Sequence, residues 1–61
     1  MNILVIGSGG REHAISLSLK KSPLTKKLVV APGNPGIGEF AECRNVAIDD
    51  IDGLCKLAKE I

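Results

Sequence analysis

Four apolar residues, Ile3-Leu4-Val5-Ile6, run without a polar break into Gly7-Ser8-Gly9-Gly10, and a helical pattern starts at Arg11. A short, mostly β-branched run of this kind suits a strand covered on both faces of a parallel sheet. Three glycines in four positions then give a tight turn, and a helix follows. In a strand, glycine turn and helix, main-chain N–H groups and the positive end of a helix dipole face one spot. That spot suits an anion, most often a phosphate. This stretch predicts a phosphate-facing loop at the start of an α/β domain.

The rest of the chain continues the alternation. Strand one is expected over about Asn2 to Ile6 and helix one over Arg11 to Lys21, closed by Ser22-Pro23 because the residue before proline leaves the α region. Ala14 and Ser18, flanked by Ile15, Leu17 and Leu19, are expected to face the sheet. Glu12, Ser16 and Lys20, at i, i+4 spacing, are expected on the wet side. Lys27 to Val30 reads as strand two. A run of turn formers follows, Ala31-Pro32-Gly33-Asn34-Pro35-Gly36-Ile37-Gly38, then a short helical turn over Glu39 to Cys43 and strand three over Asn45 to Ile48. Asp49 or Asp50 caps a second long helix, with Ile51, Leu54, Ala58 and Ile61 as its apolar face, joined by Cys55 and Leu57; Gly53 inside it costs about 1 kcal/mol relative to alanine. Strands alternating with helices make an α/β unit with a parallel three-stranded βαβ sheet.

Right-handed crossovers put strands two and three successively to one side of strand one. In doubly wound folds the next strand returns to its other side. None is visible in these 61 residues, so strand one is expected to have an open edge in an incomplete doubly wound domain. The isolated piece is then expected to self-associate through that exposed edge.

Composition narrows the function classes. Phe40 is the sole aromatic residue apart from His13, and the formal net charge is +1, so neither base stacking nor a basic footprint for nucleic acid or a membrane is indicated. No targeting or membrane-spanning segment is visible, and a cytoplasmic location is the default expectation. Cys43 and Cys55, with one histidine and no C-x-x-C spacing, read as reduced thiols, Cys55 in helix packing and Cys43 flanking a strand. Asp49, Asp50 and Asp52 read as capping residues; no metal ligands are assigned.

Gly7-Ser8-Gly9-Gly10-Arg11-Glu12 partly matches the dinucleotide fingerprint G-x-G-x-x-G. Glu12 replaces the third small residue, however, and strand two ends in Val30-Ala31-Pro32 without a ribose-binding acid. No Gly-Lys-Ser/Thr follows, so it is not a P-loop. Both glycine-rich loops, Gly7 to Gly10 and Pro32 to Gly36, lie at strand carboxyl ends, the edge where open α/β sheets bind ligands. The amides of Gly9 and Gly10 could hold a phosphate and Arg11 could add directional donors, while Glu12 could accept from sugar hydroxyls. The lesser alternative is that Arg11 and Glu12 are first-turn helix residues facing water. His13 reads as solvated or locally bonded, since no nucleophile or acid partner is visible, and no catalytic residue is assigned.

ILVIGSGGREH over Ile3 to His13, VAPGNPG over Val30 to Gly36 and NVAID over Asn45 to Asp49 together resemble the phosphoribosylamine–glycine ligase family of the ATP-grasp superfamily, along essentially the whole chain. The resemblance implies ligation of glycine to 5-phosphoribosylamine, with ATP cleaved to ADP and phosphate through a glycyl phosphate, in de novo purine biosynthesis. It implies that residues 1–61 are part of an N-terminal Rossmann-like, pre-ATP-grasp, substrate-binding domain. Gly9, Gly10, Arg11 and Glu12 would form its ribose-phosphate loop and Asn34, Pro35 and Gly36 the facing wall. ATP and its Mg or Mn would be bound by an ATP-grasp domain outside this segment, which would hold no cofactor and be inactive alone. The alternatives are a small Rossmann-like nucleotide- or dinucleotide-binding module and an interaction module using the sheet edge.

Overall fold

The computed structural model describes residues 1–61, arranged as β1 (Asn2–Gly7), α1 (Gly10–Lys21), β2 (Lys27–Pro32), α2 (Pro35–Gly38), β3 (Glu42–Cys43) and α3 (Ile51–Glu60). The sheet is three-stranded in the order β1-β2-β3, and both pairings are parallel. This is the expected α/β fragment with a parallel βαβ core. β1 and β2 pair along their whole length, from Asn2 opposite Lys27 to Gly7 opposite Pro32. The two glycine-rich turns therefore emerge at the same level of the sheet.

The central strand carries the core. Val29, Val30 and Ala31 are wholly buried, whereas Ile6 at the end of β1 is 48% exposed because β1 is an edge strand. Alternation along β2 sends Val29 and Ala31 to one face, where they cluster with Leu54 and Leu57 of α3 and with the partly buried Leu4, Val46 and Ile61. The opposite alternation set, Leu28 and Val30, serves the face on which α1 packs.

Three expectations are corrected. The third strand is not Asn45–Ile48 but Glu42–Cys43, opposite Val29 and Val30. The last ladder bond runs from Arg44 N–H to the Val30 carbonyl at 3.0 Å, after which Val46 N–H turns back onto the Arg44 carbonyl at 2.8 Å and the chain leaves the sheet. The short helix comes earlier than expected, over Pro35–Gly38 rather than Glu39 to Cys43, because Asn34 caps it and Pro35 occupies its first position.

The third correction concerns α1. Ser16 is its one fully buried residue, with Glu12, His13 and Leu19 half-buried, while Ala14, Ile15, Leu17 and Ser18 are exposed. A serine at the contact brings the helix close to the sheet, at the expense of a buried hydroxyl with no hydrogen-bond partner. α3 is likewise narrower than its sequence stripe. Leu54 and Leu57 are buried, but Ile51, Cys55 and Ala58 are exposed and, with Leu4, Ile6 and Leu54, line an apolar groove of about 290 Å³ beside β1.

Of the two candidate caps for α3, Asp50 is the one used: its Oδ1 accepts from Gly53 N–H at 3.0 Å. A side chain at 53 would press on that carboxylate and stand 3.0 Å from Val46, which accounts for a glycine inside a helix. Arg44 ties the end of β3 to α3 through a two-pronged contact with Glu60, at 2.8 and 3.3 Å. The guanidinium's hydrogen bonds and charge hold the Glu60 carboxyl below its ordinary range. No helix is long and apolar enough to cross a membrane.

Candidate functional site

The carboxyl ends of β1 and β2 open into two loops that touch. The sheet ladder extends one step beyond the strands, with Gly33 N–H donating to the Gly7 carbonyl at 3.0 Å. Asn34 then reaches across, its Nδ2 donating to the Ser8 carbonyl at 2.8 Å while its Oδ1 accepts from Ile37 N–H at 2.9 Å. Gly9, Gly10, Arg11 and Glu12 are thus brought beside Asn34, Pro35 and Gly36, the two halves of the expected site.

Backbone geometry explains two of the glycines. Gly7 has φ +148° and Gly33 φ +72°, values that residues with a Cβ rarely adopt. The space a side chain would need at Gly7 is filled by Glu12, which folds back over it and accepts a hydrogen bond from Gly9 N–H at 3.2 Å. The Gly9 amide, expected to face a phosphate together with that of Gly10, is therefore engaged within the protein. Because Gly9 is the N-cap and offers no side chain, the N–H groups of Gly10, Arg11 and Glu12 have no partner in the protein. Three unpaired main-chain donors at the positive end of a helix dipole make an anion-favouring spot. The Arg11 side chain is exposed and forms no ion pair or hydrogen bond.

His13 is locally packed. Its ring meets Phe40 edge-on, with centroids 5.5 Å apart at 82°, and would lie 3.6 Å from a Cβ on Gly36, so it wedges α1 against α2. Cys43 sits within β3 rather than beside it, and its thiol approaches the Asn34 carbonyl at 3.8 Å. Cys55 is exposed on α3 rather than packed. No three His, Cys, Asp or Glu side chains converge as a metal site would require, and Asp50 is engaged as a helix cap.

The chain matches the family described as "Phosphoribosylglycinamide synthetase, N domain" over residues 1–61. It belongs to that family. Among curated relatives it is 57% identical over 61 residues to a protein named phosphoribosylamine–glycine ligase from Phenylobacterium zucineum, a match covering 100% of this chain and 14% of the relative. A Caulobacter vibrioides protein of the same name is 56% identical over 61 residues, again 100% of this chain and 14% of the relative. One from Caldanaerobacter subterraneus is 48% identical over 58 residues, covering 95% of this chain and 14% of its own length. The chain therefore spans 14% of the length of these relatives of the synthetase N-domain family.

What sequence reasoning missed is the second job of Asn34. The Asn-Pro pair signals a cap and a turn, but no local pattern announces a bond to Ser8, 26 positions earlier. The return of Glu12 onto Gly9 had a local signal, an acid three residues after the N-cap, as in a capping box.

Proposed function

We propose that this chain is the substrate-binding N-terminal part of a ligase that joins glycine to 5-phosphoribosylamine with cleavage of ATP to ADP and phosphate, in de novo purine biosynthesis. Its own contribution is to hold the ribose phosphate. The carrying observation is the pairing of two glycine-rich loops at the carboxyl ends of β1 and β2, with the unpartnered N–H groups of Gly10, Arg11 and Glu12 beside a free Arg11 guanidinium. The names of the relatives support the reaction, and the loop geometry supports the role.

Gly9 and Gly10 let a phosphoryl group approach the backbone, and the first-turn amides with Arg11 take its charge. Glu12, one oxygen on the Gly9 amide, turns the other toward a ribose hydroxyl, and Asn34, Pro35 and Gly36 close the opposite side. ATP and Mg or Mn bind outside residues 1–61, where they supply the activation chemistry. The segment alone is inactive and binds ribose phosphates weakly.

Arg11 is exposed and unpaired, so Arg11→Gln should leave the melting temperature of the full-length protein unchanged. It should raise the KM for phosphoribosylamine about tenfold, the loss of one solvent-accessible charged contact, with the KM values for ATP and glycine unaltered. Unchanged KM for all three substrates would remove the site. The bare edge of β1 and its apolar groove also lead to self-association of the segment expressed by itself. Light scattering should give a mass rising with concentration, and a monomer throughout would contradict it.

A further inference from the structure

One side chain links the two loops, and its chemistry is specific. The Asn34 atom facing Ile37 N–H must be an acceptor and the atom facing the Ser8 carbonyl must be a donor. The amide orientation is thereby fixed by its partners. Asp, Ser and Thr also cap helices well, and a cap alone would accept any of them. Only the amide carries its donor and its acceptor on two separate atoms, so that one half-buried side chain reaches both partners. Its surroundings hold it there: Gly33 precedes it with φ +72°, Pro35 follows it, and the short helix it starts is braced by the His13–Phe40 contact.

The Ser8 carbonyl belongs to the peptide whose nitrogen is that of Gly9, so a bond to it fixes the orientation of that peptide plane. Gly9 is the N-cap of α1, and its carbonyl accepts from His13 N–H at 3.0 Å. No other side-chain hydrogen bond crosses between the two loops. From this we infer that Asn34 is a positioning residue: it latches the second loop to the Ser8–Gly9 peptide and so sets where the unpartnered amides of Gly10 to Glu12 point. The assignment rests on the phosphate-binding role given above to those amides. Asn34 acts on the substrate through the backbone of the first loop, where the family resemblance implied only a wall.

Two variants of the full-length protein separate the latch from the cap. Asn34→Asp keeps an acceptor for Ile37 N–H but sets a second oxygen against the Ser8 carbonyl. Asn34→Ser keeps the cap and is too short to span to Ser8. Both should raise the KM for the phosphoribosyl substrate by roughly 10- to 100-fold, the scale of a small displacement of binding groups. The KM values for the other two substrates should stay at their wild-type values, and the melting temperature should fall by a few degrees at most, the loss of one hydrogen bond. Wild-type KM in both variants would overturn the latch, and so would a parallel rise of all three KM values accompanying a larger fall in melting temperature. Arg11→Gln measured alongside distinguishes the failures: an effect there with none at position 34 removes the latch alone, and no effect at either position removes the phosphate-binding role itself.

Discussion

Replacing Gly33 with alanine should destabilise the protein by roughly 2–5 kcal/mol. At φ +72° an alanine pays about 1–2 kcal/mol of left-handed backbone strain. Its Cβ would also run into the Cys43 thiol, stand 3.1 Å from the Cys43 Cβ and lie 3.5 Å from the Val30 carbonyl, and overpacking of that kind adds about 1–3 kcal/mol. The neighbours cannot yield freely, because Cys43 is in β3 and Val30 is wholly buried. A domain of this length has only about 3–9 kcal/mol in total, so the change removes a large share of it. Gly38→Ala is the control: its nearest neighbour would be the Cys43 thiol at 3.9 Å, an ordinary contact. Thermal unfolding followed by circular dichroism should show a large drop for the first and little change for the second. Equal melting temperatures would mean the second loop is not built as described.

The elements that were legible in the sequence are those fixed by local chemistry. The β-branched run and its glycines specify β1 and the start of α1, and Ser22-Pro23 ends that helix after Lys21, where the backbone leaves it. The Asp50 cap and the burial of Leu54 and Leu57 in α3 follow from the same kind of signal. Strand three was not legible, because two residues in register with Val29 and Val30 owe their pairing to the path of the chain, while the more β-prone Asn45–Ile48 turns away to place Val46 on α3. The facing of α1 was read backwards for a similar reason. Counting apolar residues favours Ile15 and Leu17, but the contact with the sheet takes a small residue, and Ser16 occupies it. In the site, the glycines announced the two loops, whereas the Asn34 bridge between them depends on positions far apart in the chain and had no local signature.

The second large effect is expected at Gly10, where a substitution brings almost no structural change. Gly10 is the first residue of α1, a position where proline's fixed φ is already correct, and a Cβ there would meet nothing within 4 Å. Gly9 before it is extended, at φ −95° and ψ −174°, in keeping with a residue that precedes proline. The Gly10 N–H has no partner in the protein, so Gly10→Pro removes one main-chain donor and leaves every internal hydrogen bond in place. In the proposed site a main-chain amide facing a phosphate contributes about 1.5–3 kcal/mol, more than the exposed Arg11 side chain should. The decisive measurement is the KM of the full-length Gly10→Pro protein for phosphoribosylamine, taken with its melting temperature. A rise of roughly 10- to 100-fold with unchanged melting and unchanged KM for ATP and glycine is the predicted result. A KM equal to that of the wild type, in a protein that melts normally, would contradict the phosphate-binding turn at the start of α1.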